Sequence, residues 1–266
     1  MSQISRTLSA GMAPPGGADW WEDAENASLI STCQQFALKT GELRVRTSAL
    51  LAQSRRDPNH MELVADMAKQ VQELDHRVAA WLMSVPPAFR FRTLCWVDED
   101  IADVRSFDRL SEAEVFPGRV DIYLDFVTAG AWNTARVTRL ILASLTIRIT
   151  AWLRAPVDYR TTVEYAMVKQ ICEGTISEAI ASVPYHLGWH TRQRDLFQQN
   201  PGLSGFVCGE EAPSKALPAY MVVWTLACLR NHDMTNEDQR TWVNGRLKFI
   251  EEKMGIKYAR IIARAC

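Results

Sequence analysis

The chain has 266 residues, of which 47% are hydrophobic and 23% charged. That apolar share is enough for a sizeable core and excludes wholesale disorder. Its 30 basic and 31 acidic side chains leave a net charge of −1, whereas a domain that grips duplex DNA by its own electrostatics is normally strongly basic.

Taken in order, residues 1–18 mix Ser, Ala and Gly and end near Pro14-Pro15-Gly16-Gly17. This composition predicts a disordered leader or linker, with an ordered domain over 19–266. From Trp20 the pattern turns helical, with Ile30, Cys33, Phe36 and Ala37 at spacings of three and four. Gly41 is a candidate divider before a second helical piece that ends near Gln53. Asp57-Pro58 predicts an N-cap followed by proline at the first helical position. The stripe Val64, Met67, Val71, Leu74, Val78 and Trp81 is the clearest amphipathic helix, and Pro86-Pro87 stops it.

Phe89 to Val97 alternates apolar and polar, as a short strand or an irregular packed segment would. Asp98 to Leu110 reads as an acidic loop. Asp121 to Arg154 predicts a long helix, apolar on more than one face from Leu140 onward, that ends at Pro156. A further helix is expected from about Tyr159 to Ala181. Pro184 then opens a long break with Gly188, Pro201, Gly202, Gly205, Gly209 and Pro213. Its aromatics Tyr185, Trp189, Phe197 and Phe206 predict that the break packs rather than floats. Leu217 to Leu229 predicts a helix with Pro218 in its first turn. The next helix is expected to be capped by Thr235 and to end at Gly255. A terminal helix follows over Ile256 to Ala265, with Tyr258, Ile261 and Ile262 inward. The expected fold is therefore all-α: an irregular bundle of about seven to nine helices with one long ordered loop. The most apolar run, Leu140 to Leu153, carries Arg148 and is too short to cross a bilayer.

The residues that could carry chemistry each have an ordinary reading beside the functional one. The cysteines Cys33, Cys95, Cys172, Cys208, Cys228 and Cys266 form no CxxC, which excludes a locally built zinc finger or thioredoxin motif. No secretory signal is read at Met1, so reduced thiols of the cytosol or nucleus are expected. His186 and His190 are four apart, like two metal ligands on one helix face, and Cys208 or Glu210 could complete the set. Pro184 and Gly188 argue against a helix there, so structural or surface histidines are preferred. Cys208 precedes Gly209 and two acids, Glu210 and Glu211, which would raise its pKa rather than activate it. Asp98, Glu99, Asp100 and Asp103 could hold magnesium and a diphosphate, as in terpene cyclisation; no second metal motif accompanies them. Arg136, Arg139, Arg148 and Arg154 lie on one predicted helix. They could face DNA, or pair with buried acids. No catalytic, cofactor-binding or metal residue is assigned.

The ordered series SVPYHLGW, CGEE, KALPAYMVVWTL, DMTNEDQRTWVNGRL and GIKYA, with an upstream WNTARVTR, resembles the carboxy-terminal region of fungal Zn2Cys6 (C6 zinc cluster) transcription factors. The resemblance spans roughly Asp19 to Ala263, with Thr225 where the family often has proline. It implies an all-α regulatory domain without catalytic residues or cofactors, in the nucleus, with the cytoplasm as the alternative. The implied partners are transcription machinery or other regulators, with homo- or heterodimerisation open, no membrane, and DNA reached only indirectly or through a missing N-terminal zinc cluster. The six-cysteine cluster and basic linker of that family do not occur in this sequence. A truncated paralogue, a fragment of a longer product, and a regulatory domain working through partners all fit. Two rival readings stand beside it: a terpene-synthase-like all-α enzyme, and a small-molecule sensor lined by the tryptophans of the second half. The resemblance casts His186, Trp189, Cys208, Glu210, Trp242 and Arg246 as scaffold, buried or hydrogen-bonded.

Overall fold

A computed structural model describes residues 28–53, 56–98, 107–203 and 216–265. The expected leader over 1–18 lies outside them. The described chain is all-α, with nine α-helices and one two-stranded sheet. Among the described residues no helix is long and apolar enough to cross a membrane. The chain divides into two compact units, one of Met1–Val85 with Thr134–Thr175 and the other of Pro86–Asn133 with Ile176–Cys266.

The first unit contains α1 (Leu29–Leu51), α2 (Pro58–Ser84), most of α4 (Phe126–Arg154) and the first half of α5 (Val163–His186). Ser28 caps α1 by accepting from the Ser31 N–H at 3.2 Å. Helix α1 runs unbroken through Gly41, which is buried. Tertiary packing outweighs the glycine's propensity cost of about 1 kcal/mol. Asp57 caps α2 by accepting from the His60 N–H at 3.0 Å, and Pro58 occupies the first turn, where its missing donor costs nothing. The α2 stripe of Val64, Met67, Val71, Leu74 and Val78 packs with Phe36 and Leu43 of α1 and with Leu142, Leu145 and Ile149 of α4. Trp81 meets Phe36 edge-on at 5.9 Å. Helix α4 stops at Arg154, ahead of Pro156. Arg56 covers that end, donating to the Trp152 and Ala155 carbonyls at 2.9 and 3.0 Å.

The second unit carries the antiparallel pair β1 (Arg92–Val97) and β2 (Gly118–Ile122), with a register irregularity between Thr93 and Cys95. Helix α3 (Phe107–Glu112) lies between the strands in sequence and overlaps the end of the stretch expected as loop, Asp98 to Leu110. After α5 come a 3-10 turn (Trp189–Arg192), α6 (Arg194–Gln199), a second 3-10 turn (Pro201–Leu203), α7 (Ala216–Asn231), α8 (Glu237–Glu252) and α9 (Lys257–Ala265). Val97, Val115 and Val120 form a small cluster at the sheet, with Trp189 packed against it.

Several expectations are corrected here. Asp121 and Ile122, expected to start the long helix, belong to the strand Gly118–Ile122, and the helix begins at Phe126. Arg119, Val120, Asp121 and Ile122 alternate polar and apolar in sequence, although Val120, Asp121 and Ile122 are all buried. Asp121 tolerates burial because Arg119 lies at 2.9 Å and the Thr93 hydroxyl donates to it at 3.2 Å. Pro184 does not open the break: α5 continues through it to His186. Burial of Val183, Tyr185 and His186 outweighs the single helical hydrogen bond that proline removes. The cap of α8 is Asn236, in a reciprocal capping box with Gln239, and not Thr235. Thr235 instead donates to the Leu229 carbonyl at 2.6 Å and so closes α7. Gly255, at φ 72°, lets the Ile256 N–H return to the Ile250 carbonyl at 3.2 Å, closing α8. On α9, Ala259 is buried, while Ile261, expected inward, faces out.

Candidate functional site

His186 and His190, weighed as a metal pair and set aside, do not share a helix face. His186 lies in the last turn of α5, and His190 lies in the following 3-10 turn, beyond Gly188 at φ 74°. Both are buried, but they do different things.

His186 is held at both ring nitrogens. Its Nδ1 lies 3.2 Å from the Pro218 carbonyl, and its Nε2 lies 3.1 Å from Asn133 Nδ2. A carbonyl only accepts, so Nδ1 carries the proton, and Nε2 accepts from the Asn133 amide. The Asn133 oxygen is then free to accept from the Ser182 hydroxyl at 3.0 Å; the Ala179 carbonyl is a second acceptor for that hydroxyl at 2.7 Å. The chain Ser182–Asn133–His186–Pro218 thus joins α5, α4 and α7 and fixes a neutral imidazole. With both nitrogens engaged, His186 has no lone pair left for a metal ion or a proton in transit. Replacing Asn133 with leucine is expected to lower the stability of this unit by about 1–3 kcal/mol, because the buried His186 Nε2 loses its donor while the Ser182 hydroxyl keeps the Ala179 carbonyl. Urea unfolding measures it, and a loss below about 0.5 kcal/mol would show the network to be dispensable.

His190 has no such anchors. Its ring stacks on Tyr185 at 4.5 Å and lies 6.4 Å from the Phe126 ring. Neither nitrogen has a hydrogen-bond partner of good geometry; the Tyr185 carbonyl is near enough only to offset a little of the cost of a proton. Burial, with the Arg192 charge adding to it, pushes its pKa down to about 4. Tyr185 is itself wholly buried, with Tyr123 at 5.4 Å and Phe126 at 5.0 Å. The result is an aromatic cluster rather than a cleft.

The QRTWVNGRL segment forms α8, and its distinctive residues close helix ends. Gln239 completes the capping box of its own helix. Arg240 closes α7, donating to the carbonyls of Arg230, His232 and Thr235, the last at 2.9 Å. Further along the helix, Trp242 Nε1 donates to the Ala113 carbonyl at 3.0 Å, and Arg246 donates to the Ser111 and Glu112 carbonyls at 3.2 and 2.9 Å. Ser111 and Glu112 carry terminal carbonyls of α3, which need partners, and Ala113 follows directly after that helix. Between them sits Gly245, where a Cβ would fall 1.8 Å from the Ser111 oxygen. The two backbones touch there, and only glycine fits. Trp242 and Arg246 are both buried, and burial lowers the Arg246 pKa to about 10.

The other candidates do not assemble. Cys208, Glu210, Glu211, Glu99, Asp100 and Asp103 lie outside the described residues; Asp98 is exposed just past β1. Arg136 is buried, Arg139 pairs with Asp75 at 2.9 Å, Arg148 is exposed, and Arg154 pairs with Glu164 at 3.0 Å. At 100° per residue the four occupy several faces of α4 and make no single basic surface. Burial raises the Cys33 and Cys172 thiols to about 12 and raises Cys95 as well. None of these three is an activated nucleophile. Among the described residues, no group of three or more His, Cys, Asp or Glu side chains could hold a metal ion. Sequence reasoning missed Asn133, Ser182 and Arg240. The nearest available signal was the WN pair at 132–133, recognised as a motif without a partner.

No family model matches the chain, and no solved structure matches it. The chain is similar to the transcription factor dbaG of Emericella nidulans, at 28% identity over 153 residues. The aligned part is 58% of this chain and 34% of that protein, so the match spans about a third of the relative's length. A fungal transcription factor is thus among the proteins this chain is similar to.

Proposed function

We propose that the chain is a transcription-regulatory helical domain, which acts through protein partners in the nucleus and not by catalysis. The observation that carries this reading is the similarity to a fungal transcription factor over more than half of the chain. Its physical chemistry is in keeping. Among the motif residues, His186 and Trp242 are buried and hydrogen-bonded within the packing. The net charge of −1 favours contact with other proteins over direct attachment to DNA. Transcription machinery or a second regulator is the partner class, with DNA reached through that partner or through a zinc cluster of the kind the resembled family carries.

The test is to fuse the full chain to an unrelated sequence-specific DNA-binding domain above a reporter gene. The expected result is a several-fold change in transcript, in either direction, together with nuclear accumulation of the unfused chain. Unchanged transcript with a purely cytosolic distribution would overturn the proposal.

A further inference from the structure

The segment 187–203 is held to its unit by few buried groups. It is built from two 3-10 turns and the six-residue helix α6. Its buried side chains are Leu187, His190 and Leu203, and Trp189 lies half-buried against the sheet cluster. Its polar ties are at the surface: Arg192 to Glu114 at 2.7 Å between half-exposed side chains, and the Arg92 guanidinium to the Gly202 carbonyl. Short elements with few buried anchors are where local opening begins.

We propose that His190 is the pin of an acid-released latch that holds residues 187–203 closed against the aromatic cluster of Tyr185 and Phe126. The ring is 1% exposed, and a proton placed on it finds no carboxylate. From α5 it is faced by Tyr185, and the ring nitrogens of His186, at the end of that helix, are both engaged elsewhere. From the start of α4 it is faced by Phe126. The adjacent Asp125 carboxylate is occupied by the Thr128 N–H at 2.6 Å. On its own segment the neighbouring charge is Arg192, and Glu114, the acid nearest to that, is committed to Arg192. In the open segment the same ring stands in water and binds a proton with ordinary affinity.

Opening is therefore coupled to proton uptake. The closed form has the lower proton affinity, at about 4, so closure is fully favoured above the ordinary histidine value near 6.5 and weakens as pH falls below it. In that window the open population rises about tenfold per pH unit, and the dependence flattens once the closed form also titrates. Released, the segment carries Trp189 away from Val97, Val115 and Val120 and bares that apolar cluster to a partner or a chaperone. The latch stands or fails independently of the regulatory role.

Backbone hydrogen exchange on the full chain, corrected for the intrinsic pH dependence, reads it directly. Peptides from 187–203 are expected to gain about tenfold in opening per pH unit below roughly 6.5, while peptides from α8 do not. His190→Phe keeps the aromatic contacts and cannot titrate, so its exchange should lose that slope. Equal slopes in α8 and 187–203, or an undiminished slope in His190→Phe, would overturn the latch. Should that variant fail to fold, NMR titration of the wild-type ring decides: an ordinary histidine midpoint overturns the proposal, and one depressed by roughly two units supports it.

Discussion

Replacing Gly245 with valine is expected to unfold the unit that contains it. An added Cβ would sit 1.8 Å from the Ser111 oxygen, 2.6 Å from its carbonyl carbon and 2.9 Å from its Cα. All three are backbone atoms, so no rotamer change relieves the clash. Helix α8 would have to withdraw from α3, breaking the Trp242 and Arg246 bonds to the carbonyls of residues 111–113. The expected loss is at least about 3 kcal/mol, the upper range of overpacking, measured by denaturant unfolding of the purified chain. Gly245→Ala gives a test of sign. On an exposed helix, alanine would stabilise by about 1 kcal/mol; here it should destabilise. A stabilised alanine variant would show that the two backbones do not touch.

Truncating Trp242 to alanine carries the second large effect. The indole is wholly buried, meets Phe116 edge-on at 5.8 Å and donates to the Ala113 carbonyl. Removing it empties a cavity and orphans an acceptor, at a cost of about 3–5 kcal/mol. Trp242→Phe keeps most of the apolar contact and loses mainly the hydrogen bond, so about 1–2 kcal/mol is expected. The same unfolding experiment separates the two contributions. A phenylalanine variant as damaged as the alanine variant would place the whole effect in the hydrogen bond.

What could be read from the sequence was local. The Asp57-Pro58 cap and the stripe from Val64 to Val78 were legible because capping and 3.6-residue periodicity act within a few positions. The α8 start was legible too, had the Asn236–Gln239 spacing been weighed against Thr235, since only Asn236 has a Gln three residues on to complete a capping box. Pro184 misled because burial of its neighbours overrode a propensity rule. The strand at 118–122 carried a short alternation, Arg119, Val120, Asp121 and Ile122, that was merged with the helix following it.

The site was less legible than the fold. The histidines are four apart, Gly188 argued against a shared helix face, and the left-handed turn at Gly188 does separate them. The partners of His186 are Asn133 and Pro218, and those of Trp242 and Arg246 are the carbonyls of residues 111–113. Pairings over such separations leave no periodic trace in a single sequence. The resemblance marked these residues without their task, which is to close helix ends and fix side chains.

The central claim is that the motif residues build a transcription-regulatory domain and do no chemistry of their own. Reporter output from the tethered chain, set against the unfolding free energy of Asn133→Leu, Trp242→Phe and Gly245→Ala, tests it most directly. The account predicts that output falls with stability along one curve for all three variants. A variant that keeps wild-type stability and loses reporter output would contradict it, because its residue would then be acting at a site and not in the scaffold.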